Sequence, residues 1–465
     1  MSVTAYSFVA VLMVFLAIGV SSIRKKHSDV NDYLTAGYST APWLIGLSSV
    51  ATNNSGYMFI GLVGYTWMAG VSAFCVALGW LFGDWLVWCG FHQRLRRYSE
   101  AHPVNTIPAL TALDPATQSS PLRLVSAVIT LVFLAVYAAA QLKAGSKALN
   151  VMFSWPEWLG ALLGAAVVLL YSFAGGIRAS IWTDAAQSFV MLFGMIALFV
   201  AGLLAVGWPW ELAAALESVD PTLVHWSPDG LLFGLVPFIL GWVAAGIGAI
   251  GQPHILVRTI ALRSPDDVPA ARRVYFAWYL PFAVLTVTVG LYARVLLDGE
   301  LIDPELTLPL MAELYLPEIL TGMVLAAIFA ATLSTADSML LSCSAAISQD
   351  LIPRFGQSYV RTKVGTLGIT VLVLAIALSA PANVFTLVVF AWSSLGGTLG
   401  PVILLRIMHA PLGRPTALTM MASGMATLII WQLLGYSDSL YELLPALAVS
   451  FLVYGLMYPF QHKEA

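Results

Sequence analysis

The chain has 465 residues, 59% of them hydrophobic and 10% charged, with a mean hydropathy of +0.86 and a formal net charge of −3. A soluble domain carries about 25% charged residues, so this composition cannot cover a water-facing surface of this size, and a soluble globular protein is excluded. A β-barrel is excluded as well: its strands alternate in short segments, whereas the long apolar runs here reach the ~20 residues with which a helix spans a bilayer.

The first run covers 4–22. Its core, Phe8 to Val20, has basic residues behind it (Arg24, Lys25, Lys26) and not in front, the reverse of a cleaved signal peptide, so a retained span is expected. The second run, 42–69, contains Ser48-Ser49-Val50-Ala51-Thr52-Asn53-Asn54-Ser55-Gly56. Paired Asn followed by Ser-Gly competes for backbone hydrogen bonds and disfavours continuous helix. An unwound segment frees carbonyl oxygens, hard ligands suited to a small cation; close helix packing through small residues is the alternative. The third run, 71–92, holds Asp84, with no role legible in its neighbours. The fourth, 122–146, is followed by Lys147, which with Lys143 is expected to snorkel at the outer end.

Runs at 157–174 and 181–206 flank a glycine turn, Gly175-Gly176, and Asp184 lies about a turn into the second of them. An acid there suits either an ion site or the positive end of a helix dipole. The seventh run, 231–257, is interrupted by Gln252-Pro253-His254. Runs at 275–297, 318–349, 365–381, 384–406, 416–434 and 440–460 complete a count of thirteen. Within 318–349, Ser334, Asp337 and Ser338 share one helix face at i, i+3, i+4, with Thr332 and Thr335 beside them. Some of these hydroxyls are expected only to back-bond to their own helix.

Eighteen of the 21 Lys and Arg fall in alternate connections, among them Arg94, Arg178, Arg258, Arg354, Arg406 and Lys463. The opposite set, 207–230, 298–317 and 435–440, has none and carries acids such as Asp220, Asp298, Glu300, Asp303 and Glu305. Positive charge stays inside, which puts the N-terminus outside and the C-terminus in the cytoplasm. Spans 2–6 and 7–11 are two sets of five, each opening on an interrupted helix; five being odd, their orientations are opposite, as an inverted repeat requires. The expected organisation is one membrane domain, an all-α protein of about 13 transmembrane helices: an extra helix at 4–22, a first repeat at 42–206, an inverted second repeat at 231–406 and two C-terminal helices at 416–460.

No nucleophile–base pair or histidine cluster suggests an enzyme; His92, His102, His225 and His254 lie in or near connections. Cys75, Cys89 and Cys343 sit in apolar runs without metal or disulfide spacing. Two broken helices suit occlusion better than the continuous pore of a channel. The competing class is a transporter-like sensor that binds a solute without moving it.

Taken in order, several motifs resemble the sodium/solute symporter family, and within it the sodium/proline branch. They are Asp32-Tyr33-Leu34-Thr35-Ala36-Gly37, Gly175-Gly176 with Trp182-Thr183-Asp184 and Gln187, Gly251-Gln252-Pro253-His254, Leu333-Ser334-Thr335 with Gln349-Asp350-Leu351, and Trp431-Gln432 with Tyr441-Glu442 and Pro445. The resemblance implies sodium-coupled import of a small organic solute by alternating access, at the plasma (inner) membrane, with sodium as coupling ion. It implies neither an organic cofactor nor a nucleic-acid partner; the partners are the solute, sodium and the bilayer. By resemblance the ion is held by the carbonyls of Ala51, Asn54 and Ala331 and the hydroxyls of Ser334 and Thr335, with Asp184 close by. The solute is expected at Asn53, Ser55, Gly56, Tyr57, Tyr137, Ala245, Ala249 and Pro253. Four positions depart from the branch. The branch has Asp at Asn53 and Trp at Tyr57, and large aromatics at Ala245 and Ala249. Loss of the last two predicts a wider pocket and a solute bulkier than proline, another zwitterion or an organic acid.

Overall fold

The computed structural model describes residues 2–22, 30–112, 121–297, 303–356, 358–379 and 383–461. Of the charges used above, Arg24, Lys25, Lys26, Asp298, Glu300 and Lys463 lie outside the described residues. The long helices, numbered in chain order, are α1 (Val3–Ser21), α2 (Pro42–Asn53), α3 (Leu62–Ala69), α4 (Ala73–Gly90), α5 (Pro121–Phe153), α6 (Glu157–Val206), α7 (Leu235–Ile247), α8 (Pro253–Ala261), α9 (Val268–Leu296), α10 (Glu318–Ala345), α11 (Tyr359–Ser379), α12 (Val384–Ile407), α13 (Arg414–Leu433) and α14 (Leu443–Gln461). Shorter helices join them, and among the described residues the only β pairing is a bridge between Thr40 and Leu262.

Each of the thirteen apolar runs carries helix. Among the described residues nine helices are long and apolar enough to cross a membrane, ten if the pair Leu235–Gly251 and Pro253–Ala261, bent by 58°, is one span. The shortfall from thirteen has local causes. The break after Asn53 leaves α2 only 12 residues long, and Glu157–Leu170 and Leu443–Pro459 are apolar but short. Runs 157–174 and 181–206 are joined in α6 across Gly176, whose φ of 59° and ψ of −146° are not helical. A side chain there would collide with the carbonyl and ring of Tyr33, so only glycine fits this corner.

α10 is the axis of the molecule. It is buried from Val324 to Leu341 and packs against α1, α2, α5 and α6. A helix with no outward polar face belongs at the centre of a bundle, and Ala326, Ala327, Ala330 and Ala331 let its neighbours approach closely. α2 packs on α9 and α6 as well as on α10.

Two charge assignments change. Lys147 does not snorkel: it is buried and paired with Asp303 at 2.7 Å and Glu305 at 2.5 Å, and Lys143 is buried too. Glu305 also accepts from the backbone N–H groups of Val384 (3.1 Å) and Phe385 (2.8 Å), closing the start of α12. Arg258 is not in a connection. It lies within α8 and is wholly buried.

Candidate functional site

The break in α2 is built from side chains that compete for backbone partners. The helix ends at Asn53, with Asn54 at φ −88°, ψ 60°, and resumes in a π-helical turn, Tyr57–Gly61. Ser55 Oγ takes the N–H of Tyr57 at 3.1 Å, and the N–H of Gly56 donates to Gln141 Oε1 at 2.8 Å. Gly56 is required by proximity: a Cβ would stand 2.7 Å from Thr332 Cγ2 and 2.9 Å from Gln141 Oε1.

Carbonyls near the end of α2 face hydroxyls of α10. Ser334 Oγ lies 3.1 Å from Ala51 O and 3.2 Å from Ala331 O, and Thr335 Oγ1 lies 2.9 Å from Thr52 O and 3.2 Å from Ala331 O. Ala51, Ala331, Ser334 and Thr335 of the expected ion site are therefore together. Thr52 joins them, a position missed because hydroxyl–carbonyl pairing between two helices has no signature along the chain. Asn54 sits in the break with its side-chain amide donating to Val50 O at 3.0 Å.

Asp184, expected close to the ion, lies behind α2 among hydroxyls and a guanidinium. Its Oδ2 accepts from Ser48 Oγ at 2.6 Å and Arg258 Nη2 at 2.8 Å, with Thr52 and Ser180 hydroxyls at 3.5 Å. Arg258 also donates to Ser48 (2.8 Å), Ser180 (3.1 Å), Ser338 and the carbonyl of His254 (2.5 Å). Both members are fully buried, so the acid reaches the hydroxyl cluster through Thr52 while its charge is balanced by Arg258. Deeper in α10, Asp337 accepts from Ser172.

On the solute side, Ser55 Oγ is 3.4 Å from Tyr137 OH, and the Tyr137 ring meets His254 edge-on at 5.8 Å. Tyr57 lies between Trp80 (5.1 Å) and Phe385 (5.4 Å). Ala245 and Ala249 are buried, and tryptophans stand beside them. Trp392 Nε1 donates to Ala245 O at 2.7 Å, and its ring packs on Trp80 at 4.9 Å. Tryptophans from α4 and α12 thus line this side of the break. Pro253 begins α8 beside a cavity lined also by Arg258, Ser338 and Thr106. Gln252 Nε2 reaches Trp392 O at 2.9 Å.

Several buried polar atoms in this region have no hydrogen bond among the described residues: Asn53 Oδ1, Asn54 Oδ1, Tyr57 Oη, Gln141 Nε2, Gln252 Oε1, Asp184 Oδ1 and both ring nitrogens of His254. Buried polar groups are nearly always satisfied. Unused donors and acceptors among aromatic rings are the lining a small polar solute requires. Asn53 Nδ2 donates to Tyr275 OH at 2.6 Å and lies 3.5 Å from Asp84 Oδ2, which accepts from Tyr275 OH at 2.6 Å. Toward the acidic connections, a cleft of about 370 Å³ is lined by Tyr65, Trp242, Phe385, Asp438, Tyr441 and Glu442. The Tyr57–Phe385 stack and the Trp242–Tyr441 stack (5.0 Å) separate it from the break. Among the described residues no three His, Cys, Asp or Glu gather as a metal centre, and the three cysteines are free.

Comparison with known proteins points to one kind of protein. The family described as the sodium:solute symporter family matches residues 33–424. The sodium/proline symporter of Escherichia coli is 32% identical over 462 residues, covering 95% of this chain and 88% of that protein. The high-affinity proline transporter of Bacillus subtilis is 30% identical over 439 residues, covering 92% of each. In fold, the chain is similar to a Na+-coupled sialic acid symporter in its substrate-bound outward-open state, with a TM-score of 0.82 at 17% identity, covering 99% of this chain and 98% of that one.

Proposed function

The chain belongs to the sodium:solute symporter family and is a multi-pass membrane protein, and from that premise we propose that it imports a small amino acid of the proline type together with sodium by alternating access. The observation that carries this reading is the meeting of α2 carbonyls with α10 hydroxyls at 2.9–3.1 Å. Oxygens of that kind, uncharged and at hydrogen-bond spacing, suit a small hard cation. A sodium ion taking the place of the Ser334–Ala51 and Thr335–Thr52 hydrogen bonds would be held by Ala51, Thr52, Ala331, Ser334 and Thr335. Asn54 would add its carbonyl on rearrangement of the break, and Asp184 would act from behind through Thr52.

The solute then binds on the other side of the same break, against Asn53, Ser55, Gly56, Tyr57 and Tyr137 with Gln141, under the wall formed by Ala245, Ala249, Trp392 and Pro253. Ion and solute are coupled because both order one short unwound segment. Proline, the solute named for the relatives, is the amino acid this reading takes into the pocket. Thirteen spans, the N-terminus outside, the C-terminus in the cytoplasm of the plasma membrane, and the inverted repeat of 42–206 and 231–406 are part of the proposal; the two helix breaks support the repeat. Rocking of one repeat against the other would open the cleft beside Phe385 and the cavity beside Arg258 in turn.

Uptake of L-proline into proteoliposomes tests the reading. Accumulation is expected with an inward sodium gradient and not with a proton gradient alone. Ser334→Ala with Thr335→Ala is expected to abolish sodium dependence while the protein stays folded. Retained coupling in that double variant, or uptake indifferent to sodium, would overturn it.

A further inference from the structure

Asp84 is a buried acid that the proposed cycle leaves unused and that touches the break in α2 through Asn53. It lies within α4, 2% exposed, and a carboxylate at membrane depth is costly unless a cation balances it. Four other buried acids have such partners: Asp184 has Arg258, Glu305 has Lys147, Asp350 has Arg123 and Asp32 has Arg178; Asp337 and Glu442 are held by hydroxyl and amide donors, and neither touches the break in α2. Among the described residues no Lys, Arg or His lies within ion-pair distance of Asp84. What reaches its Oδ2 is the hydroxyl of Tyr275 and the amide of Asn53.

That contact fixes which way the Asn53 amide faces. Its NH2 donates to Tyr275 and points at the acid, because the reverse placement would set carbonyl oxygen against carboxylate. Asn53 Oδ1 is left on the side away from Asp84, buried and without a partner, in the last residue of α2 before the break. An amide whose N–H is held by a carboxylate presents a more negative oxygen, since the bonds of such a chain polarise one another.

We propose that Asp84, acting through Asn53, supplies the negative charge that balances a monovalent cation at the break in α2, either the sodium ion or the ammonium group of the solute. The inference rests on the symport reading. It makes Asp84 a positioning residue: the acid stands one residue behind the site, and Asn53 carries its charge forward.

The test is a charge swap in the purified full-length protein, with sodium titrated against intrinsic tryptophan fluorescence. Asp84→Asn is expected to raise the sodium half-saturation tenfold or more, and the double variant N53D/D84N, with the charge moved one residue forward, to return it toward wild type. A merely structural Asp84 would not be rescued in this way. A second arm uses L-proline and tetrahydro-2-furoate, in which a ring oxygen replaces the amine. If D84N leaves the sodium response unchanged but weakens proline and not the furoate, the balanced cation is the amine. Sodium and proline responses both unchanged in D84N, with wild type still responding, overturn this inference alone. No sodium response and no sodium-driven uptake in wild type overturn the symport reading with it. Should D84N not fold, N53D/D84N is read by itself: a wild-type sodium response supports the inference and a lost one overturns it.

Discussion

Two buried carboxylates flank the broken helix, and they are handled in opposite ways. Asp184 is locked by a guanidinium and the hydroxyl of Ser48, all inside the bundle. Asp84 has a tyrosine hydroxyl and an amide, and among the described residues no basic partner. A charge already neutralised by a fixed cation holds elements together; one held only by dipoles remains available to a cation that comes and goes. The first node links α2, α6, α8 and α10 and reads as architecture. The second ends on Asn53, the last residue before the helix break, and reads as function.

The comparison breaks most visibly at Arg258. Arg258→Ala leaves Asp184 buried and unpaired, for which a loss of about 3–5 kcal/mol is expected. Thermal unfolding in detergent should show it, and D184A/R258A should be less damaged than R258A alone. A fully stable R258A would mean that the node is not structural. Tyr275→Phe probes the other side. It removes the donor to Asp84 and the acceptor of Asn53, with an expected cost of about 1–3 kcal/mol, but its larger signature should be a several-fold weaker sodium response. Loss of stability with an unchanged response would place both carboxylates in the same structural class.

Glu305→Gln sharpens the contrast from a third site, since Glu305 is both paired with Lys147 and bonded to the start of α12. A loss of about 0.5–2 kcal/mol, in the range of helix caps, should appear in unfolding, with the sodium half-saturation unmoved. The smallest effect is expected for Trp392→Phe, which keeps the ring and loses one hydrogen bond to Ala245 O. About 0.5–1.5 kcal/mol and little change in uptake would show that the wall is made by the ring; a collapse of proline affinity would make the indole N–H part of solute recognition.

Much of this was legible along the chain. Paired Asn before Ser-Gly predicted the break after Asn53, and Gln252-Pro253 the bend between α7 and α8, because both act on the backbone within a few residues. Ser334 and Thr335 were legible as hydroxyls on an apolar helix, and Asp84 as an acid out of place. Arg258 was misread because counting basic residues in connections takes no account of a helix resuming after Pro253 inside the bundle. Lys147 was misread because its partners, Asp303 and Glu305, are more than 150 positions away.

The same division runs through the whole molecule. Composition and apolar runs by themselves determined a helical membrane protein, since in a bilayer only helices and closed barrels satisfy the backbone and runs this long exclude the barrel, and local residue pairs showed where helices must fail. Only the tertiary structure decided which carbonyl meets which hydroxyl, that the space beside Ala245 is filled by Trp392, and that Arg258 serves Asp184 while Asp84 has Asn53. Those outcomes depend on the packing of helices far apart in sequence, where a shift of a few ångströms exchanges one hydrogen-bond partner for another, and no local pattern encodes that distance.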